Sequence, residues 1–299
     1  MVDLTGKQPV SVVDISPVIG MNAGIGSIAV SLLLEWLNSF YMNQIYLQGL
    51  FLIIALMTLL WIISVFIKNV SIVDLFWGIG FVIADAWYFL ASNTFNSRQI
   101  LLFGLVTFWG VRLSIYLALR NMGKGEDFRY REFRKNYGER NYWWISFFQT
   151  FLLQGILMWL ISITLMGGNQ SDVDVNLNFA DYLGILVWII GFIFESGGDY
   201  QLAKFKSDKS NKGKVLNTGL WRYTRHPNYF GDTAIWWGFG IIGLAAGSWW
   251  SAAGSLLMTL LIIKVSGVAL LEKTLKIQKP EYQEYIQKTN SFIPWFPKK

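Results

Sequence analysis

Seven runs of mostly apolar residues, each about the length of a membrane-spanning helix, dominate this sequence of 299 residues. A helix needs about 20 apolar residues to cross the hydrocarbon core of a bilayer. The hydrophobic fraction of 54% and the charged fraction of 15% exclude a disordered chain and a soluble nucleic-acid binder. The sequence therefore predicts an all-α, polytopic membrane helical bundle with seven core spans. The predicted spans are Leu47–Ile67, Val70–Leu90, Ile100–Leu119, Trp144–Met166, Tyr182–Leu202, Asn228–Ala246 and Trp249–Leu271.

The residues that precede the first strong span have a different character. Val18–Leu34 is a weaker apolar stretch that contains Asn22 and three glycines. It is either an additional transmembrane helix or a segment that lies in the membrane interface. We therefore divide the chain into an N-terminal extension, residues 1–46, and a transmembrane domain, residues 47–299.

Most of the 25 Lys and Arg residues fall in three segments: Arg120–Asn141, Lys204–Arg225 and the tail after Glu272. The loop Gly167–Phe179 contains no Lys or Arg. Because even numbers of predicted spans separate the three basic segments, all three fall on one face of the membrane. The positive-inside rule predicts that this face, and with it the C-terminus, is cytoplasmic.

Two absences limit the chemistry that the chain can perform. The sequence has no cysteine and a single histidine, His226. A thiolate nucleophile, a disulfide framework and a multi-histidine metal site are therefore excluded. We expect a lipid bilayer as a partner, and no nucleic acid or metal.

Ionisable side chains inside predicted spans are candidates for function, because burying them in a membrane costs a few kcal/mol. Glu195 and Asp199 are four residues apart and share one helix face, as do Asn228 and Asp232. The basic segment Lys204–Arg225 joins the two spans. This predicts a cytoplasm-facing cavity with a floor of carboxylates and an amide, and a Lys/Arg mouth that suits phosphates. Alternatively, the basic segment only contacts anionic lipid.

Asp74 stands near the start of its predicted span, among the aromatic residues Phe76 and Trp77. A buried carboxyl without a positive partner can hold its proton and donate it as an acid catalyst. Alternatively, Asp74 forms a structural pair with Arg112. Both interpretations stay open at this stage.

The segment Thr218–Asp232 has the sequence TGLWRYTRHPNYFGD. Pro227 fits the first turn of a helix, which would place Arg225 and His226 at an N-terminus suited to anions. This segment resembles the C-terminal signature of the steroid 5-alpha-reductase-like membrane reductases, most closely their bacterial-type, DUF1295-like branch. The resemblance covers roughly residues 49–297. Further matching segments are Ser71–Gly78, Trp109–Leu113, Gly125–Tyr130, Pro280–Tyr285 and Phe292–Pro294.

The resemblance implies a seven-helix fold in a bacterial inner membrane rather than the endoplasmic reticulum. It also implies reduction by NADPH of a carbon–carbon double bond conjugated to a carbonyl in a lipophilic substrate. Asp74 matches the catalytic carboxyl, Asn228 and Asp232 match residues at the nicotinamide end, and Lys206 and Lys214 match phosphate contacts. The helix N-terminus and the resemblance together predict this cofactor-binding set: Arg112, Glu195, Asp199, Lys206, Lys214, Arg225, His226, Asn228, Tyr229 and Asp232.

The sequence departs from the family pattern at Trp109. The animal steroid reductases have a Tyr at this position, paired with the catalytic carboxyl. Trp has an N–H donor but no acidic hydroxyl. Either Tyr116, one helical turn past Arg112, takes the catalytic role, or the acid chemistry differs. An enone lipid other than a steroid is an equally good substrate.

Two alternative functions remain. The motif Arg225–Gly231 is also found in membrane methyltransferases that use S-adenosylmethionine on isoprenylcysteine or phospholipid amines. Those enzymes resemble this chain only over its last two helices, and they commonly carry paired acidic residues where this chain has the single Glu272. A non-catalytic carrier would need polar residues through both leaflets. The embedded charges instead cluster in the cytoplasmic half, apart from Asp85 and Lys264.

Overall fold

The computed structural model describes residues 25–170, 176–266, 268, 272 and 281–298, with side chains from residue 42 onward. The chain divides into two compact units, Met1–Ile45 and Tyr46–Lys299. The predicted segment Val18–Leu34 begins outside the described residues, and no side chain of it is described. The candidate functional residues predicted above all lie in the second unit.

The described residues form helices and no β-strand, which confirms the predicted all-α class. A π-helical stretch, Phe147–Leu152, precedes the helix Leu153–Asn169, and another, Leu261–Ser266, follows the helix Ala252–Leu260. The helices are α1 (Ile25–Ile67), α2 (Ile72–Leu75), α3 (Trp77–Ser92), α4 (Ser97–Asn121), α5 (Phe128–Tyr137), α6 (Glu139–Ser146), α7 (Leu153–Asn169), α8 (Phe179–Ser207), α9 (Pro227–Ala245), α10 (Ala252–Leu260) and α11 (Tyr282–Lys288).

Four helical stretches among the described residues are long and apolar enough to cross a membrane: Met42–Ile67, Ser97–Asn121, Glu139–Asn169 and Phe179–Ser207. Two shorter apolar helices, Trp77–Ser92 and Trp249–Val265, accompany them.

The prediction of one continuous helix over Val70–Leu90 is wrong. The chain forms the short helix α2, leaves helical geometry at Phe76 and begins α3 at Trp77. The Ser71 hydroxyl donates a hydrogen bond to the Asn69 side chain and accepts one from the backbone N–H of Asp127. Contacts with loop residues therefore fix the start of α2.

Helices α4 and α8 run parallel to each other. Arg98 pairs with Asp181 at 2.7 Å near the start of both helices. Fourteen residues later in each helix, Arg112 pairs with Glu195 at 2.9 Å. The basic segments that follow α4 and α8 therefore emerge at the same end of the bundle.

Close approach between α8 and α9 brings the polar residues of the two helices together. A Cβ atom at Gly231 would lie 2.2 Å from the backbone nitrogen of Glu195, and one at Gly191 would lie 2.6 Å from the carbonyl oxygen of Gly231. Only glycine permits this contact. It sets the register that places Asp199 opposite Asn228.

Candidate functional site

Arg112 on α4 is the centre of a buried group that we call the carboxylate cluster: Arg112, Glu195, Asp199, Asn228 and Asp232. Its guanidinium donates to Glu195 Oε1 at 2.9 Å and to Asp199 Oδ2 at 2.8 Å. Both carboxylates are buried. The alternative in which Arg112 pairs with Asp74 is therefore wrong, because Arg112 faces α8.

Each of these two carboxylates has a second donor. The indole N–H of Trp109 donates to Glu195 Oε2 at 2.9 Å, and Asn228 Nδ2 donates to Asp199 Oδ1 at 3.2 Å. Trp109 is fully buried. The residue that departs from the family pattern thus holds a carboxylate of the cluster.

Asp232 completes the cluster and leaves it with three carboxylates for one arginine. Among the described residues, its Oδ1 atom is buried and has no hydrogen-bond partner. The indole N–H of Trp236 lies close enough to this carboxylate to stabilise its charge. Asp232 Oδ1 is thus a buried acceptor, and such a group is costly unless a ligand or water satisfies it.

Asp74 belongs to a second group, the Asp74 cluster, with Arg129 and Tyr130. Arg129 Nη2 donates to Asp74 Oδ2 at 2.8 Å, and the Tyr130 hydroxyl donates to Asp74 Oδ1 at 2.7 Å. Gln154 Nε2 in turn donates to the Tyr130 hydroxyl at 3.3 Å. Asp74 therefore has a positive partner and accepts a hydrogen bond from a tyrosine hydroxyl.

Tyr130 is the functional candidate that sequence reasoning missed. Burial, together with the neighbouring Asp74 charge, raises the pKa of the Tyr130 hydroxyl, so Tyr130 holds its proton at neutral pH. Its segment was recognisable, because Ser71–Gly78 and Gly125–Tyr130 both match the family. A signal was available in the sequence: Ser71–Gly78 contains Asp74 and no basic residue, and Gly125–Tyr130 contains Arg129.

The two predicted tyrosines lie in different places. Tyr116 lies beneath Arg112, whose guanidinium carbon is 5.3 Å from the ring centroid, and so accompanies the carboxylate cluster. Tyr229 stacks on His226, with ring centroids 5.6 Å apart. Arg129 and Asp232 are both within electrostatic range of the Tyr229 hydroxyl, so Tyr229 lies between the two clusters.

At the start of α9, where the sequence predicted an anion site, Arg225 and His226 contact the side-chain carboxylate of Glu272. Pro227 opens the helix as predicted. Glu272 Oε1 accepts from Arg225 Nε at 2.9 Å and lies 3.3 Å from His226 Nε2. Although burial opposes this, hydrogen bonds from His226 and Arg225 lower the pKa of Glu272 to about 2. Within the described part of the chain, the other ring nitrogen of His226 is buried without a partner.

Arg225 also ties the C-terminal segment to the signature. Its backbone N–H donates to the carbonyl oxygen of Asn290 at 2.9 Å, and its Nη1 donates to the carbonyl oxygens of Ile286 and Thr289. Its guanidinium is thus engaged within the chain.

A cavity of about 610 Å³ opens beside the basic segment that follows α8. Its walls are apolar and aromatic, and its lysines are exposed. Lys206 lines it, whereas Lys214 and the residues of the carboxylate cluster do not. This cavity therefore does not have the predicted carboxylate floor. The lining residues are Leu202, Phe205, Lys206, Asp208, Lys209, Asn211, Lys212, Gly213, Val215, Leu216, Trp221, Arg225, Tyr282 and Tyr285.

No group of three or more His, Cys, Asp or Glu side chains with metal-binding geometry occurs within residues 42–170, 176–266 and 281–298. An uncharacterized protein of Schizosaccharomyces pombe is 26% identical over 292 residues, a match that covers 87% of this chain and 83% of that protein. No solved structure matches the chain. The family model described as a protein of unknown function, DUF1295, matches residues 60–289. The chain therefore belongs to the DUF1295 family.

Proposed function

We propose that this protein is a membrane oxidoreductase that uses NADPH to reduce a carbon–carbon double bond conjugated to a carbonyl in a lipophilic substrate. The observation that carries the proposal is the pairing of a protonated tyrosine, Tyr130, with Asp74 and Arg129. A separate carboxylate cluster adds an unsatisfied polar atom, Asp232 Oδ1. The family resemblance of the motifs supports the same reaction.

The Asp74 cluster supplies the acid. As a hydride reaches the β-carbon of an enone, negative charge develops on the carbonyl oxygen, and a donor placed there stabilises the enolate. Rotation of the Tyr130 O–H bond turns its proton from Asp74 toward such an oxygen. Arg129 and Asp74 keep the hydroxyl in position, and a proton from solvent completes the reduction at the α-carbon.

The carboxylate cluster and the cavity have the chemistry to hold the cofactor. Asp232 Oδ1, a buried acceptor without a hydrogen-bond partner among the described residues, complements the amide N–H₂ of a nicotinamide carboxamide. Asn228 adds a side-chain amide beside it. Lys206 and the neighbouring lysines of the cavity suit phosphates. When bound, NADPH would supply the hydride.

The proposed reaction fits a membrane setting. We extend the four clear spans to seven, adding the broken α2–α3 segment, α9 and the α10 segment, and assign the basic end of the bundle to the cytoplasm. The family resemblance favours a bacterial inner membrane. A C-terminal reporter that is active outside the cell would contradict this topology.

A titration of the detergent-solubilised protein with NADPH tests the cofactor site. Asn228→Ala and Asp232→Ala should each weaken binding roughly five- to hundredfold, as expected for the loss of one buried hydrogen bond. Ser207→Ala, at the exposed end of α8, is the control. Unchanged affinity in both variants would remove the proposed site.

The nucleotide that co-purifies with the protein distinguishes the alternatives. Bound NADP(H) supports the reductase. Bound S-adenosylmethionine would favour the methyltransferase.

A further inference from the structure

Three large apolar side chains near the C-terminus are exposed and adjacent in sequence, and we call them the tail patch. Ile293 is 66% exposed, Trp295 is 66% exposed and Phe296 is 73% exposed. Apolar groups clustered in this way mark a surface that has a partner.

The backbone of the tail patch is hydrogen-bonded to residues 218–226, the part of the signature segment before α9, which we call the signature loop. Trp295 N donates to the carbonyl oxygen of Tyr223 at 2.9 Å, and the Thr224 hydroxyl donates to the carbonyl oxygen of Phe292 at 2.8 Å. The Phe296 ring packs edge-on against Tyr223, with centroids 5.9 Å apart. The exposed side chains therefore belong to a fixed surface of the protein.

A series of packed aromatic rings connects Phe292, the residue before the tail patch, to α8. Phe292 contacts Phe230 on α9 at a centroid distance of 6.1 Å, and Phe230 contacts Phe194 on α8 at 5.1 Å. Phe194 follows Ile193, which is 55% exposed on a helix that is long and apolar enough to span a membrane. Packed rings thus join the residue before the tail patch to a helix that is long and apolar enough to span a membrane.

Positive charge flanks the tail patch. Arg222, in the signature loop, and Lys298, two residues after Phe296, are both exposed. Trp is enriched at the membrane–water interface, and basic side chains near the membrane surface are attracted to anionic headgroups.

We propose that the tail patch lies in the headgroup layer of the bilayer and binds anionic phospholipid. Because the same segment is bonded to residues 223–225, this contact fixes the depth of the signature loop relative to the membrane. The proposal does not depend on the reaction that the protein catalyses.

The absence of cysteine makes a direct test possible. Single-cysteine variants Trp295→Cys and Ile293→Cys are labelled with an environment-sensitive fluorophore. They are reconstituted into vesicles of phosphatidylethanolamine and phosphatidylglycerol that contain lipids with a nitroxide near the headgroup. Glu284→Cys is the control, because Glu284 is a charged residue on α11, outside the tail patch, and its side chain is 70% exposed.

The expected result is that nitroxide lipids quench the labels at 293 and 295 but not the label at 284, whereas aqueous iodide quenches only the label at 284. Removing phosphatidylglycerol should reduce the lipid quenching. Iodide access to the labels at 293 and 295 without lipid quenching would overturn the proposal. Shielding that depends on protein density and not on lipid would overturn it as well, in favour of a second copy of the chain.

Discussion

Replacing Arg112 by Met should strongly destabilise the protein, because two buried carboxylates lose their shared positive partner. Glu195 would keep the bond from Trp109 and Asp199 the bond from Asn228, both from uncharged donors. Removing one member of a buried ion pair costs about 3–5 kcal/mol. At 2–4 °C per kcal/mol for a domain of this size, the midpoint of thermal unfolding should fall by roughly 6–20 °C.

The assay is thermal unfolding of the purified protein in detergent. Arg120→Met is the matched control, since Arg120 lies two turns further along α4, is exposed and forms no salt bridge with a described residue. Adding Glu195→Gln to Arg112→Met should recover part of the loss, because one stranded charge disappears. A midpoint for Arg112→Met equal to that of the control would refute the reasoning, as would a double variant no more stable than the single one.

Three further predictions follow from the described contacts. Asp74→Asn should greatly reduce turnover with NADPH affinity nearly intact, because the Tyr130 hydroxyl loses the carboxylate that positions it, and Asp74→Leu should reduce turnover further; a folded Asp74→Leu protein with wild-type NADPH consumption would exclude this positioning role. The Glu272 pKa is lowered from 4.5 to about 2, so the stability that its contact with Arg225 contributes is present above pH 4.5 and is lost as the pH falls toward 2. Unfolding of Glu272→Gln should therefore vary less with pH in this window, and an unchanged pH profile would contradict the contact. Gly78→Ala should cost about 1–3 kcal/mol, because its Cβ would lie 2.3 Å from the carbonyl oxygen of Gly110, whereas Gly104→Ala, which meets no atom within 4 Å, should unfold at the wild-type midpoint or above it.

The sequence by itself determined the all-α class of the protein and the extent of three of its long helices. The lengths of the apolar runs predicted α4, α8 and α9 to within a few residues, and Pro227 marked the start of α9. These properties are local, because a helix satisfies its own backbone hydrogen bonds and needs only its own run of apolar side chains in a membrane.

The tertiary structure alone decided which charges meet. The sequence identified Asp74, Arg112, Glu195 and Asp199 as candidates, but the partner of Asp74 is Arg129, 55 positions away, and Arg112 reaches Asp199 across 87 positions. The pattern within one helix fixes which face a charge occupies. Which helix lies opposite depends on close packing, here on the glycines that let α8 approach α9, and no single segment contains that information.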